Sequence, residues 1–112
     1  EENLYYELPI SFTDAALGTS VEVPSIDGGK SKIKIPSGTQ HGKQFRLKGK
    51  GMPILRRNLF GDLYIRINTQ VPNALSKRQK EILEEFGEIE RHKPDPIIKN
   101  FFEKAKKFWG SS

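Results

Sequence analysis

The stretch Leu4-Tyr5-Tyr6-Glu7-Leu8-Pro9-Ile10-Ser11-Phe12 decides the fold class. Leu4, Tyr6, Leu8, Ile10 and Phe12 fall on one side of an extended chain, with Tyr5, Glu7 and Ser11 opposite. A period of two with aromatic and β-branched members predicts a strand packed on one face. Pro9 has no amide donor, so it predicts an edge strand or a bulge.

Outward from this strand, Thr13-Asp14-Ala15-Ala16-Leu17-Gly18 predicts a single helical turn at a corner, capped by Thr13 or Asp14 and ended by Gly18 in the left-handed region. Short strands follow at Ser20–Val23, Ser31–Ile35 and Gln44–Lys48, and a longer one at Asp62–Val71. Asp27-Gly28-Gly29 is a hairpin signal, because glycine accepts the positive φ of such a turn. Lys30, Lys32 and Lys34 alternate as the solvated face of a half-buried sheet does. Ile54–Phe60 has no clean period. Strands of this number and spacing predict a small β-sandwich over residues 1–72. Its core candidates are Leu8, Ile10, Val21, Val23, Ile33, Ile35, Phe45, Leu47, Leu63, Ile65 and Ile67.

Residues 73–112 change character to a helical segment. Ser76 and Gln79 have the spacing of a capping box, Gly87 is the expected stop unless Glu88-Ile89 continue the helix for a turn, and Glu88–Asp95 reads as a polar linker. Asp95 then caps a second helix with Pro96 at its first position. Gln79, Ile82, Leu83 and Phe86 share a stripe on the first helix. Ile98, Phe101, Phe102, Ala105, Phe108 and Trp109 form a broad apolar face on the second, with Lys99, Glu103, Lys106 and Lys107 mainly opposite. Burying a large aromatic is worth about 1.5–3 kcal/mol, so these faces call for cover by the domain or by a partner chain. A membrane-surface helix is a competing use of the second pattern, given its basic polar face. A second copy of the chain is the expected partner, with Leu75, Gln79, Ile82, Leu83 and Phe86 at the seam and Phe101, Phe102, Phe108 and Trp109 packed over it or against the sandwich.

The 112 residues suit one compact domain plus an appendage. With 35% hydrophobic and 29% charged residues, the composition is that of a folded soluble chain. There is no signal-peptide pattern and no apolar run near 18 residues, so no membrane span is expected. Cysteine is absent, which excludes disulfides and thiolate chemistry and fits the cytoplasm. The net charge of +5 comes with acids interspersed almost throughout, without long blocks of like charge.

Catalytic patterns are weak. Gly38–Gly42 with Lys43 is one residue short of a phosphate-binding loop, and Gln44 stands where Ser or Thr is required. His41 and His92 lack neighbours at metal-ligand spacing, no nucleophile elbow is present, and Glu84, Glu85, Glu88 and Glu90 are not set to converge across a cleft. No catalytic residue, metal or cofactor is expected. Tyr5, Tyr6, Phe45 and Tyr64 with nearby Lys and Arg leave a nucleic-acid-binding surface as the competing function class. A binding role has more physical support, because a strand edge can take up an extended peptide with little regard for its sequence.

Several short motifs in a fixed order carry a resemblance. They are Leu4–Ile10, Ala15–Gly18, Val21–Pro24, Asp27-Gly28, Ile33–Pro36, Gly38–Gln40, Gly42-Lys43, Phe45–Gly51 and Gly61–Leu63. Together they resemble the second C-terminal β domain of DnaJ-type heat-shock co-chaperones. Leu75–Gln79 followed by Leu83 and Phe86 resembles the dimerisation helix of that family. Phe101–Lys104 with Lys107-Phe108 resembles the tail of its bacterial members. The resemblance implies a non-enzymatic role: dimerisation through the C terminus, and holding unfolded polypeptides for transfer to an ATP-driven DnaK-type chaperone. In the family, peptide capture is credited mostly to the preceding β domain. His92-Lys93-Pro94-Asp95 inserts a lysine into the His-Pro-Asp triplet of the ATPase-stimulating domain, and the cysteine pairs of the zinc segment are absent. Neither ATPase stimulation nor zinc binding is expected of these residues.

Overall fold

The computed structural model describes residues 3–25, 28–54, 59–93 and 95–110. The chain divides into two compact units, residues 1–73 and 74–112.

The first unit is mostly β. Strand β1 (Leu4–Ser11) lies parallel to β7 (Leu63–Gln70), and β4 (Gln44–Leu47) pairs with β7 antiparallel on its other side, giving the order β1-β7-β4. Strands β2 (Thr19–Pro24) and β3 (Lys30–Ile35) form an antiparallel pair. The buried cluster draws on both layers: Ile10 from β1, Leu63, Ile65 and Ile67 from β7, Val23 from β2, and Ile33 and Ile35 from β3. Leu4, Leu8, Val21, Phe45 and Leu47 pack around it half-buried. This is the sandwich that the alternating patterns predict, and Lys30, Lys32 and Lys34 point outward as expected. The hairpin joining β2 to β3 is closed by Ser25 N–H to Gly29 O at 2.8 Å, with Gly28 at φ 89°; Asp27 lies outside the described residues.

Three local features differ from expectation. The strand stops at Ser11, and helix α1 runs Phe12–Leu17 with Ser11 as its cap, its hydroxyl accepting from Asp14 N–H at 3.1 Å. Ser11, Thr13 and Asp14 are all competent caps. Starting the helix at Phe12 buries Ala15, which joins the core. Gly18 ends the turn at φ 88° and ψ 153°, a positive φ outside the left-handed helical region. A Cβ there would meet Ser37 N at 3.0 Å and Ile35 O at 3.1 Å. Finally, Pro53–Ile54 (β5) and Leu59–Phe60 (β6) make a short antiparallel ribbon that two-residue strands cannot announce by periodicity; Leu55–Asn58 lie outside the described residues.

The second unit holds α2 (Lys77–Arg91) and α3 (Pro96–Gly110). The capping box is complete: Gln79 N–H donates to Ser76 Oγ at 3.1 Å, and Ser76 N–H donates to Gln79 Oε1 at 2.9 Å. Gly87 is not the stop. The helix passes through it to Arg91, so the first four residues assigned to a linker, Glu88–Arg91, are helical. A glycine inside a helix costs about 1 kcal/mol relative to alanine, which good helix formers on both sides can carry. Local ion pairs Glu88–Arg91 and Glu90–Lys93 support the last turn. Asp95 caps α3 as expected, accepting from Ile97 N–H at 3.0 Å.

Candidate functional site

The stripe of α2 combines Ile82, Phe86 and Ile89, all about half-exposed, with the half-buried Leu83. Their steps of three and four residues put them on one helical face. Leu75, just ahead of the cap, is half-buried. Gln79 is exposed, and its side chain is committed to the capping box. Ile89 belongs to the stripe because the helix continues past Gly87; its position after the expected stop kept it from the seam residues chosen on sequence.

On α3, Ile97, Ile98, Phe101, Phe102, Phe108 and Trp109 are all exposed, Phe108 at 77% and Trp109 at 72%. Phe101 and Phe102 meet edge to face, ring centroids 5.3 Å apart. Lys99, Lys104, Lys106 and Lys107 against Glu103 give this helix a basic polar side. Neither 15-residue helix has a buried residue, and apolar faces of this width are costly to leave in water.

The sheet unit offers a different surface. On its outer face Tyr5 of β1 stacks on Tyr64 of β7, with ring centroids 5.1 Å apart and planes 10° apart. Glu7 and Arg66 are the next register pair, and Gln44 of β4 lies across from Arg66. A hollow of about 260 Å³ is lined by Tyr5, Tyr6, Glu7, Gln44, Tyr64 and Arg66. Of the aromatics considered for a nucleic-acid platform, Tyr5 and Tyr64 come together, whereas Phe45 packs against the core. Sequence alone could not find the tyrosine stack, because it depends on parallel pairing of segments 59 residues apart.

Beside this face, Asp62 ties three segments. Its Oδ2 accepts from Arg46 Nε at 2.6 Å, its Oδ1 from Gly49 N–H at 2.9 Å, and its own N–H donates to Asn3 Oδ1 at 2.7 Å. The Gly49 N–H holds the Asp62 carboxyl below its ordinary range; burial opposes it, and the hydrogen bond and charge of Arg46 add to the lowering. The pair braces β4 against the start of β7. His41 accepts at Nδ1 from Thr69 N–H at 3.1 Å, a loop-anchoring role. Among the described residues no group of three or more His, Cys, Asp or Glu gathers as a metal site, and no helix is long and apolar enough to cross a membrane.

Comparison with known proteins bears on these surfaces. Residues 1–72 match the family model described as "DnaJ C terminal domain", and residues 78–111 match "Chaperone protein DnaJ C-terminal region". The chain is 64% identical over 109 residues to the chaperone protein DnaJ of Pelagibacter ubique, covering 97% of this chain and 29% of that protein. It is 51% identical over 107 residues to the proteins of the same name from Brucella canis and Brucella abortus, covering 96% of this chain and 28% of each. The chain thus spans under a third of the length of these relatives. The order of motifs, the β-sandwich they build and the helical segment after it lead to one family: this chain belongs to the DnaJ C-terminal domains.

Proposed function

We propose that this chain is a non-catalytic arm of a DnaJ-type co-chaperone, residues 1–72 forming its second C-terminal β domain and 73–112 its dimerisation segment. Two copies pair through Leu75, Gln79, Ile82, Leu83 and Phe86 of one face, with Phe101, Phe102, Phe108 and Trp109 completing the contact. Gln79 contributes there through the cap that fixes the start of α2. The pair helps hold non-native polypeptides in the cytoplasm for transfer to a DnaK-type ATPase. Its value is avidity: a weak contact made by one arm gains from the high effective concentration of the second. The observation that carries this is the exposure of nearly every large apolar side chain on α2 and α3, in a family whose relatives are named as chaperones.

The test is solution mass by light scattering over a concentration series, with Trp109 emission recorded in parallel. Two copies per particle at tens of micromolar, with a blue shift as the exposed indole is covered, is the expected result. A monomer throughout, with unchanged emission, overturns the pairing.

A further inference from the structure

Tyr5 and Tyr64 face each other because the parallel register of β1 and β7 is pinned just ahead of them. Asp62 O accepts from Leu4 N–H at 2.9 Å and Asp62 N–H donates to Asn3 Oδ1 at 2.7 Å, so Leu4 opposes Leu63 and Tyr5 opposes Tyr64. Leu63 is fully buried, and a slip by one residue would turn its side chain to water. The two rings stand on the outer face with centroids 5.1 Å apart and planes 10° apart, close to the spacing of about 4.8 Å between neighbouring strands.

Tyr5 is 68% exposed and Tyr64 half-buried, so an oxidant reaches the stack from solvent. The chain has three tyrosines, and the third, Tyr6, turns to the other face of β1. Cysteine, which gives up electrons more readily than a phenol, is absent, and Met52 is the single methionine. The strand involved has much to gain from a staple. Among the described residues β1 pairs only with β7, at the edge of the order β1-β7-β4. Segments held on one side open first in local unfolding.

We propose that the Tyr5–Tyr64 stack is an oxidative modification site, at which one-electron oxidants join the two phenols into an intrachain dityrosine bridging β1 and β7. Each phenol gives one electron and its O–H proton to the oxidant, leaving a phenoxyl radical with spin on the ring carbons next to the C–O carbon. A carbon–carbon bond forms between one such carbon of each ring. The two hydrogens displaced from those carbons move as protons to the oxygens and restore both phenols. With a peroxidase supplying the one-electron steps, two tyrosines and one hydrogen peroxide give one dityrosine and two waters. Rings already held in contact couple within one chain, which outruns coupling between molecules. The bridge closes a loop between residues 59 positions apart, and it restricts the unfolded chain as a disulfide would, in a chain that has no cysteine.

The test treats the whole 112-residue chain, at low micromolar concentration, with a peroxidase and limiting hydrogen peroxide. Expected are blue dityrosine emission, a denatured mass equal to one chain less two hydrogen atoms, and a proteolytic fragment joining the segments of Tyr5 and Tyr64. The yield per chain should not change with protein concentration. Tyr5→Phe and Tyr64→Phe each keep an aromatic ring in the stack and should lower the intrachain yield roughly tenfold or more, whereas Tyr6→Phe should leave it unchanged. The bridged protein should keep its sheet signal and melt roughly 10 °C higher. Products that join two chains, linkage through Tyr6, or oxidation of Met52 or Trp109 in place of dityrosine each overturn the site. The mass is read on denatured chains, so the outcome does not depend on whether two copies pair, and its failure leaves the polypeptide-holding reading untouched.

Discussion

Asp62 accepts both Nε and Nη2 of Arg46 on the single oxygen Oδ2, at 2.6 and 2.5 Å, leaving Oδ1 for the Gly49 amide. Arg46 belongs to β4, and Asp62 sits one residue ahead of β7. Its carbonyl also accepts from Leu4 N–H, so one residue sets the start of the parallel pair, the end of β4 and the turn beyond it. Tyr5 and Tyr64 are brought into stacking register immediately past this brace.

Asp62→Asn should therefore lower stability near neutrality, because an amide nitrogen or a neutral oxygen replaces the anion that Arg46 grips. The folded-state carboxyl lies below the ordinary value of 3.8, so its contribution is fully present above that value and is lost as pH falls through the lower folded one. Urea midpoints measured for both proteins should accordingly differ most near neutrality and converge well below pH 3.8. A gap that persists undiminished in acid would mean that the ionised carboxylate is not what stabilises the junction.

Gly18→Ala tests the corner between α1 and β2. The backbone sits at φ 88°, and a methyl group would press on Ser37 N and Ile35 O at 3.0 and 3.1 Å, both backbone atoms that cannot swing away. Strain and overlap together should cost about 3 kcal/mol, a drop of more than 10 °C or so in melting temperature for a unit this small. Gly28→Ala is the control: its φ is 89°, but nothing lies within 4 Å, so only the conformational cost of about 1 kcal/mol applies. Equal losses at the two positions would show that the close approach at Gly18 is immaterial.

How much of this was legible follows from which signals are local. Alternation in Leu4–Ser11 and Lys30–Ile35, the Ser76/Gln79 spacing and Asp95-Pro96 each concern residues within a few positions of one another, and the structure carries them as read. Gly87 misled because a glycine stops a helix only where the following residues leave it; Glu88, Ile89, Glu90 and Arg91 gain more by staying in, through ion pairs and the apolar stripe. The corner cap moved to Ser11 because three competent caps stand within four residues and tertiary burial of Ala15 selected among them. The Tyr5–Tyr64 platform and the open side of β1 depend on strand order and parallel register, which no local pattern encodes.

Gly87→Ala isolates the helix from its surroundings. A Cβ at Gly87 meets nothing within 4 Å among the described residues, so alanine should stabilise α2 by about 1 kcal/mol, seen as slower amide exchange from Phe86 through Arg91. Ser76→Ala should act in the opposite sense by a similar amount, about 1 kcal/mol, and fray the first turn. Faster exchange in the alanine variant at Gly87 would indicate that a partner helix approaches closely enough to need glycine there.

Leu83 and Phe86 lie one turn apart on α2, and neither belongs to the buried cluster of the sheet unit. Replacing both with glutamate puts two carboxylates on the proposed seam, next to Glu84 and Glu85, where self-pairing repeats each charge on the partner. Losing the burial of two large side chains per copy removes on the order of 3–6 kcal/mol from each side, so dimer dissociation should rise at least a hundredfold or so. The expected species is a monomer by light scattering that keeps its far-ultraviolet sheet signal and its cooperative unfolding. A variant that remains paired places the seam elsewhere, and one that loses the sheet signal makes Leu83 and Phe86 part of the sandwich, with pairing through α2 abandoned in either case.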